Sequence, residues 1–376
     1  MRVLHVNAGN MYGGVESFLV TLARKRDTCP EMEPNFAFCF EGRYSKELTA
    51  TAVRTYLLGS VQTRRFWTIM QARRRMRELL KDSLFDGVVC HMPWNYAVFG
   101  PEVRRAGVPL IFWAHGLADG SRWLERWARR TRPDLVLCNS RFTGSTLAKL
   151  FPGVESRVIY YPVEKPQTRP ADAIALRREL NVSEESVVIL QVSRMEPWKG
   201  HSLHLRALAQ LKNVRGWKCW IAGGAQRSEE EEYFRNLQRQ AAELGIGDRV
   251  RFMGQRTDVA RILAAADIFC QPNEAPEPFG IAFIEALWSG LPVVSTAIGG
   301  GAEIVTATEG FLTPPGDPHT LADCLRSLIE SADLRRKFGE GGPARARQLC
   351  DPGTQIRAIG ATLAGLPRRP VSEHAS

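Results

Sequence analysis

The chain has 376 residues, of which 44% are hydrophobic and 24% are charged, and its formal net charge at pH 7 is +10. This length exceeds that of one ordinary hydrophobic core, so two domains are expected. The eight cysteines are scattered without a Cys-x-x-Cys pair, which argues against a disulfide or zinc framework and favours reduced core thiols. No apolar run is long enough for a transmembrane helix, and the chain begins with a predicted strand, so no signal peptide is predicted.

The first half of the chain alternates short apolar strands with helical stretches, which is typical of a doubly wound α/β sheet. Its strands are predicted at 2–6, 35–40, 85–91, 110–114, 135–139 and 158–160. The second half repeats the plan, with strands predicted at 187–192, 217–222, 250–253, 268–271 and 292–296. The polar, proline-rich segment EKPQTRPADA separates the halves. We therefore predict domains at 1–165 and 186–350, a linker at 166–185, a final helix at 351–365 and a tail at 366–376.

A glycine-containing loop follows the first predicted strand. In the segment NAGNMYGGVESF, Gly13 and Gly14 allow the backbone to approach a ligand closely, while Glu16 and Ser17 can cap the helix that comes next. The spacing differs from the GxGxxG fingerprint of dinucleotide-binding proteins, so a nicotinamide enzyme loses its main support. A tight strand-to-helix turn without a ligand is the alternative interpretation.

Two basic residues follow the first predicted strand of the second half. In VVILQVSRMEPWKGH, the apolar strand at 187–192 runs into a loop that carries Arg194 and Lys199, and Gly200 opens an amphipathic helix. Side chains at the carboxyl end of a parallel strand, ahead of a helix start, are well placed to bind a diphosphate. The alternative is a pair of solvated basic residues on the surface.

Two carboxylates surround a later helix start. Glu277 precedes a helix predicted to begin near residue 281, and Glu285 lies eight positions further on. The unpaired N–H groups at this helix start favour a phosphate. Because two carboxylates beside a phosphate would repel it, we expect them to accept hydrogen bonds from neutral hydroxyls. The alternative is that both are solvated side chains.

Six segments in this order, SRMEPWKG, WIAGG, RVRFMGQRTDV, EPFGIAFIE, GLPVVST and GGGAE, resemble the retaining GT-B glycosyltransferases of family 4. The resemblance spans most of the chain. It implies an α/β fold of two Rossmann-like domains that face each other across a cleft. The first domain would bind the acceptor and the second the nucleotide sugar. The final helix would pack back on the first domain, and LPRRPVSEHAS would form a loose tail.

The resemblance also implies a role for each candidate residue. Arg194 and Lys199 would bind the nucleotide diphosphate, Glu277 the donor sugar hydroxyls and Glu285 the ribose hydroxyls. The remaining candidates are the backbone at Phe279, Gly280 and Ile281 for sugar and phosphate, the loop at Gly13 and Gly14 for acceptor and diphosphate, Asp258 beside the nucleotide, and His115 near the sixth carbon of the sugar. Asp258 has a helix N-cap as its alternative role, and His115 a strand-end imidazole bonded to backbone. The chain departs from the family at Tyr161 to Glu164, where many members have an Asn-Gly-Val-Asp turn.

The implied activity is transfer of a hexose-type sugar from UDP, or less favourably GDP, to a saccharide or glycoconjugate acceptor such as a lipid-linked glycan. Anomeric retention is expected to proceed by front-face attack, because both glutamates are assigned to hydroxyls and neither is assigned as a nucleophile. Side chains supply the positive charge, so neither a metal nor a cofactor is expected. A nucleotide-sugar epimerase and a non-catalytic nucleotide-sugar-binding protein are the two alternatives.

Positive charge is concentrated in the first half. Residues 1–170 contain 26 Lys and Arg against 15 Asp and Glu, whereas residues 171–376 contain 24 against 25. The basic runs include RRFW at 64–67, RRRMR at 73–77 and SRWLERWARRTR at 121–132. An anionic membrane surface or an acidic acceptor is the partner that this charge favours, with ordinary solvated helices as the alternative. Nucleic acid is not expected as a partner. The predicted location is the cytoplasm, with peripheral attachment to the inner face of the membrane if the charge serves that purpose.

Overall fold

The computed structural model describes residues 1–62, 64–225 and 227–366. Its strands are β1 (Arg2–Asn7), β2 (Glu33–Phe38), β3 (Thr55–Leu57), β4 (Gly87–His91), β5 (Leu110–Ala114), β6 (Leu135–Cys138), β7 (Ser156–Val158), β8 (Val187–Val192), β9 (Trp217–Ala222), β10 (Val250–Gly254), β11 (Ile268–Gln271), β12 (Val293–Thr296) and β13 (Gly310–Thr313). Its α-helices are α1 (Gly14–Arg24), α2 (Arg43–Thr49), α3 (Phe66–Asp82), α4 (Met92–Arg105), α5 (Trp123–Ala128), α6 (Arg141–Thr146), α7 (Pro170–Glu179), α8 (His201–Ala209), α9 (Ser228–Glu243), α10 (Val259–Ala265), α11 (Ile281–Trp288), α12 (Gly301–Ile304), α13 (Pro318–Glu330), α14 (Ala332–Cys350) and α15 (Pro352–Ala364). The predicted tail lies outside the described residues from position 367 onward.

The chain divides into two compact units. Unit 1 comprises residues 1–163 and the returning segment from 350, and unit 2 comprises residues 164–349. The sheet of unit 1 has the order β3-β2-β1-β4-β5-β6-β7, and that of unit 2 has the order β10-β9-β8-β11-β12-β13. Every described strand pair is parallel. The predicted α/β fold class with two doubly wound sheets is confirmed.

Each sheet reverses its strand order once. The chain builds outward from β1 to β3 before it crosses to β4, and in unit 2 it builds outward from β8 to β10 before it crosses to β11. Loops diverge at such a reversal, and a crevice opens outside the carboxyl ends of the two central strands. The segments that follow β1, β4, β8 and β11 therefore border these crevices.

The central strands are buried on both faces, as expected for parallel sheets covered by helices, whereas the edge strands β3 and β7 are partly or fully exposed. All five residues of β4 and all five of β5 are buried. Seven of the eight cysteines are buried, Cys324 is half-buried, and none forms a disulfide. Among the described helices, none combines the length and the apolar composition required to cross a membrane.

Strands β3 and β13 and helix α7 were not predicted from the sequence. Strand β3 is three residues long and lies at the sheet edge, and β13 begins with Gly310, where a Cβ would lie 1.8 Å from the Val293 carbonyl oxygen. Helix α7 lies within the predicted linker, begins with a proline at its first position and contacts α10. Strand β7 ends at Val158, where the predicted strand begins. Helix α15 contacts α1 and belongs to unit 1.

A buried glutamate forms ion pairs with arginines of the predicted basic surface. Glu102 in α4 is 2% exposed, and its carboxylate accepts two hydrogen bonds from Arg105, at 2.8 and 2.9 Å. Arg77 and Arg73 of α3 form ion pairs with the same carboxylate at 3.4 and 3.8 Å. Two arginines of the run at 73–77 are therefore directed toward α4 and contribute less free positive charge to the surface than the sequence suggested.

Replacement of Glu102 by Gln should destabilise unit 1. The variant keeps the shape of the side chain but removes the negative charge that three arginines share. We expect the free energy of unfolding to fall by about 2 kcal/mol, measured by chemical denaturation. Glu78→Gln, which removes only an exposed partner of Arg74, is the matched control and should leave the unfolding midpoint nearly unchanged. Equal midpoints for both variants would contradict the structural role of Glu102.

Candidate functional site

In unit 2, the segment between β11 and α11 is held by two close backbone approaches. The Gly300 N–H donates to the Glu277 carbonyl at 2.6 Å, and a Cβ on Gly299 would lie 2.5 Å from the same oxygen. Gly280 precedes α11 with φ +105°, in the left-handed region that favours glycine. The sequence GGG at 299–301 therefore permits a contact that fixes the backbone of Glu277 and the start of α11.

A second glycine brings the β8–α8 turn against the end of β11. Gly200 has φ +73°, and a Cβ there would lie 1.7 Å from the carbonyl oxygen of Pro272. The residue just before it, Lys199, ends a short 3₁₀ turn at Pro197–Lys199. This approach brings the turns that follow the two central strands of unit 2 into direct contact.

Lys199 and Glu277 meet at this crevice. The Lys199 ammonium donates a hydrogen bond to Glu277 Oε2, and the two side chains are only 13% and 11% exposed. The Gln271 amide lies 3.5 Å from the same oxygen and donates to Asn273 Oδ1 at 3.1 Å. A cation and a carboxylate thus lie side by side, supported by polar groups from the end of β11.

Arg194 and Asp258 form ion pairs with other residues. Arg194 forms an ion pair with Glu196 at 2.7 Å and is 34% exposed. Asp258 forms two hydrogen bonds with Arg256, at 2.8 and 2.7 Å, and these hold the pKa of its carboxyl below its ordinary value. Asp258 precedes α10 at the N-cap position but makes no side-chain capping hydrogen bond.

Glu285 occupies the inner part of α11. Its side chain is half-buried, and within the described ranges its carboxylate has no hydrogen-bond or ion-pair partner. Desolvation raises the pKa of Glu285 to about 7. An unsatisfied carboxylate is costly to bury. Its two oxygens are therefore available to accept hydrogen bonds from a ligand. The backbone candidates Phe279, Gly280 and Ile281 lie on the same helix start.

In unit 1, Glu16 of helix α1 accepts hydrogen bonds that hold the preceding glycine loop. The Gly13 N–H donates to Glu16 Oε2 at 2.9 Å, and the Asn7 amide donates to Glu16 Oε1 at 2.8 Å. Gly13 has an extended backbone and Gly14 is the first residue of α1. The glycine that requires the left-handed region is Gly9, with φ +81°. The capping role of Glu16 was anticipated, whereas the importance of Gly9 was not.

His115 belongs to a hydrogen-bonded row of three histidines that crosses the sheet of unit 1. Nδ1 of His5 lies 3.1 Å from Nε2 of His91, and Nδ1 of His91 lies 2.7 Å from Nε2 of His115. Nδ1 of His115 lies 2.5 Å from the Tyr161 hydroxyl, which also accepts from the Asn139 amide at 3.1 Å. Each step along the row advances one strand and two residues in register. The three rings therefore lie on one face of the sheet, in a diagonal row.

The histidine row has a direction. Burial lowers the pKa of His5 and of His115 to about 3, and it holds the pKa of His91 well below its ordinary value. A neutral imidazole has one N–H, so every ring must donate toward the same end. Nε2 of His5 has no hydrogen-bond partner. Because a buried lone pair costs less than a buried unpaired N–H, donation runs from His5 toward Tyr161.

Both ring nitrogens of His115 are consequently occupied inside the protein. The residue is 7% exposed, so it can bind a ligand only by exchanging one of its two hydrogen bonds. His91, the middle member of the row, is fully buried. Of the predicted site residues in the described ranges, Lys199 and Glu277 are in direct side-chain contact. Within the described ranges no group of three or more His, Cys, Asp or Glu side chains is arranged to hold a metal ion, and metal independence stays a prediction.

Both halves of the chain match families of known proteins. Residues 12–165 match the family described as Glycosyltransferase Family 4, and residues 172–345 match Glycosyl transferases group 1. Among solved structures, HepE of Anabaena in complex with UDP and glucose has a TM-score of 0.84 and 26% identity, over 97% of this chain and all of that one. Sucrose-phosphate synthase of Thermosynechococcus elongatus shares the fold, with a TM-score of 0.80 at 19% identity over 97% and 98% of the two chains.

Curated relatives match over part of their length. D-inositol 3-phosphate glycosyltransferase of Corynebacterium efficiens is 34% identical over 51% of this chain and 48% of its own. The protein of the same name from a Nocardioides species is 30% identical over 70% of this chain and 64% of its own. The chain thus spans about half to two thirds of the length of these relatives.

The carboxyl group of Glu285 should make stability depend on pH. Its pKa is about 7 in the folded protein against an ordinary value of 4.5, so the folded state binds the proton more tightly. The contribution to stability is fully present below about pH 4.5 and is lost as the pH rises through 7. Glu285→Gln should therefore be more stable than the parent at pH 8, by on the order of 1–2 kcal/mol, and equal to it at pH 4.5. Denaturant titrations at the two pH values measure this difference, and a pH-independent difference would exclude a desolvated carboxylate.

Proposed function

The chain belongs to glycosyltransferase family 4, and on that premise we propose that it is a retaining, metal-independent glycosyltransferase. It transfers a hexose-type sugar from a nucleotide diphosphate, UDP in preference to GDP, to a saccharide or glycoconjugate acceptor bound by residues 1–165. The observation that carries this proposal is the contact between Lys199 and Glu277 at the crevice of unit 2. A nucleotide sugar presents both an anionic diphosphate and neutral hydroxyls, and these two side chains match that combination.

The proposed roles follow from charge. Lys199 and Arg194 stabilise the diphosphate as the bond between the anomeric carbon and the phosphate oxygen breaks. Glu277 accepts hydrogen bonds from the sugar, and Glu285 accepts them from the ribose, which compensates the desolvation of its carboxylate. The acceptor hydroxyl attacks the anomeric carbon from the same face as the departing diphosphate. Its proton passes to a phosphate oxygen. Gly13, Gly14 and His115 border the acceptor side in this proposal, and Asp258 lies beside the nucleotide.

Similar proteins support a UDP-linked donor. The HepE crystal structure contains UDP and glucose, and it aligns with this chain over nearly its full length. The names of the curated relatives contain inositol 3-phosphate, but the matched regions cover only part of those proteins. We therefore keep the acceptor general and include inositol 3-phosphate among the compounds to be tested.

A panel of nucleotide sugars tests the proposal. UDP- and GDP-hexoses are screened for thermal stabilisation, because a ligand that binds the folded state raises the apparent melting temperature. The stabilising donor is then incubated with acceptors in excess EDTA, and the anomeric configuration of the product is read by NMR. Transfer with the configuration of the donor is expected. A product formed without acceptor would indicate an epimerase, and binding without turnover would indicate a non-catalytic protein.

We further propose that unit 1 contacts an anionic membrane surface and that the protein is cytoplasmic. The first turn of α3 exposes Phe66 and Trp67 by 69% and 61%, directly after the exposed Arg64 and Arg65. Exposed aromatic rings beside arginines match the headgroup layer of an anionic bilayer. Trp123 is also exposed, by 56%, whereas Trp127 packs against the core. Trp127, in the basic run at 121–132, is therefore not assigned to this surface.

Vesicle co-sedimentation tests the membrane surface. The protein should bind vesicles containing anionic lipid and not neutral ones, and binding should fall as salt rises above about 0.15 M, where charge is screened within about 8 Å. Trp67→Ser should weaken binding several-fold, because an indole ring contributes beyond charge. Leu84→Ser is the matched control, since Leu84 is 86% exposed and follows the opposite end of α3. Equal, negligible binding to both vesicle types would favour a soluble acceptor instead.

A further inference from the structure

Lys199 needs support to act at a fixed position. Its ammonium lies at the end of a flexible four-carbon stem, and ordering such a side chain costs conformational entropy. The residue belongs to the short turn at Pro197–Lys199, between β8 and α8. Two groups contact this lysine, the Gln191 amide at its backbone carbonyl and the Trp198 ring at its ammonium. The sequence patterns did not single out either group.

The Gln191 amide holds the backbone of Lys199. Gln191 is fully buried in β8, whose other members are Val, Ile and Leu. Its Nε2 donates to the Lys199 carbonyl at 2.9 Å, and its Oε1 lies 2.9 Å from Nδ1 of His204. A carbonyl can only accept, so the amide nitrogen must face Lys199. The amide oxygen then faces His204, which must donate through Nδ1.

His204 completes this support from α8. It is fully buried, and desolvation lowers its pKa to about 3, so the ring is neutral. Its proton is fixed on Nδ1 by the Gln191 oxygen, and its Nε2 has no hydrogen-bond partner. The three residues therefore form one polar connection, from helix α8 through strand β8 to the backbone of the turn. Both the nitrogen and the oxygen of the Gln191 amide are paired in it.

The Trp198 ring holds the ammonium. Nζ of Lys199 lies 4.0 Å from the centroid of this ring, within the range of a cation–π contact. The Trp198 carbonyl accepts from the Glu274 N–H at 2.8 Å, which anchors the turn to the segment after β11. The cation–π contact does not use any N–H group of the ammonium as a hydrogen-bond donor. The ammonium can therefore keep this contact while it donates to Glu277 and to a phosphate.

We propose that Trp198 and Gln191 are positioning residues for Lys199, which hold its ammonium where a nucleotide diphosphate binds. This inference rests on the proposed function only in that the ligand is a nucleoside diphosphate. It predicts a specific loss. Variants of either residue weaken the contribution of the diphosphate to binding and leave the contribution of the nucleoside intact.

The affinities of UDP and uridine, measured by calorimetry, test this inference, with GDP and guanosine used if the donor screen selects guanine. Trp198→Leu should weaken UDP binding about 3-fold, and Trp198→Phe by less, because a phenyl ring attracts a cation less strongly than an indole. Gln191→Met should weaken UDP binding about 10-fold, because it leaves two buried groups unpaired. Uridine affinity should be unchanged in all three. Gln240→Met, which removes a hydrogen bond to Ser202 of α8, is the matched control and should change neither affinity.

A double-mutant cycle separates positioning from general stability. Trp198→Leu should have no further effect on UDP binding once Lys199 is replaced by Ala. An equal loss in both backgrounds, or a parallel loss of UDP and uridine affinity, would overturn the inference. If Lys199→Ala alone leaves UDP affinity unchanged, both the proposed diphosphate contact and its positioning are wrong. Because the readout is binding, failure to detect sugar transfer with any donor would count against the proposed activity alone.

Discussion

The site of unit 2 depends on the absence of side chains at residues 299–301. A Cβ at position 299 or 300 would collide with the backbone around Glu277 and Phe279, so the two segments could not pack at their present distance. That distance sets the position of the Glu277 carboxylate and therefore its contact with Lys199. The same contact determines where α11 begins. The polar contacts of the crevice thus require that these positions carry no side chain.

The secondary structure could be predicted wherever one pattern was dominant. Strands β5, β8, β9 and β11 are predominantly apolar, and their predicted bounds match the structure. The elements that were missed have mixed signals. Strand β3 is short and at an edge, and Gly310 in β13 resembles a turn residue although it serves a close strand contact. In α7 the proline-rich composition predicts a linker, but a proline at the first helical position is favoured and begins a helix here.

The site was predictable where spacing along the chain carries the information. Glu277, Glu285, Arg194 and Lys199 lie next to strand ends and helix starts, which periodicity locates well. The connections among side chains were not predictable in this way. The Gln191–His204 hydrogen bond and the histidine row join residues on separate elements, and each depends on which nitrogen carries a proton. A glutamine inside an otherwise apolar strand was the one available signal for Gln191. The exposure of Arg194 and the pairing of Asp258 likewise depend on neighbours that only the fold brings together.

The histidine row also constrains how the sequence of unit 1 can evolve. Loss of His5 would leave one nitrogen of His91 unpaired, whereas loss of His91 would leave a nitrogen unpaired on each of its two neighbours. The cost of a substitution therefore rises from the end of the row toward its middle. Drift at these positions should begin at His5 and proceed inward, with neighbouring residues replaced together. Tyr161 accepts the last hydrogen bond of the row, so a change at this position would also leave a nitrogen of His115 unpaired.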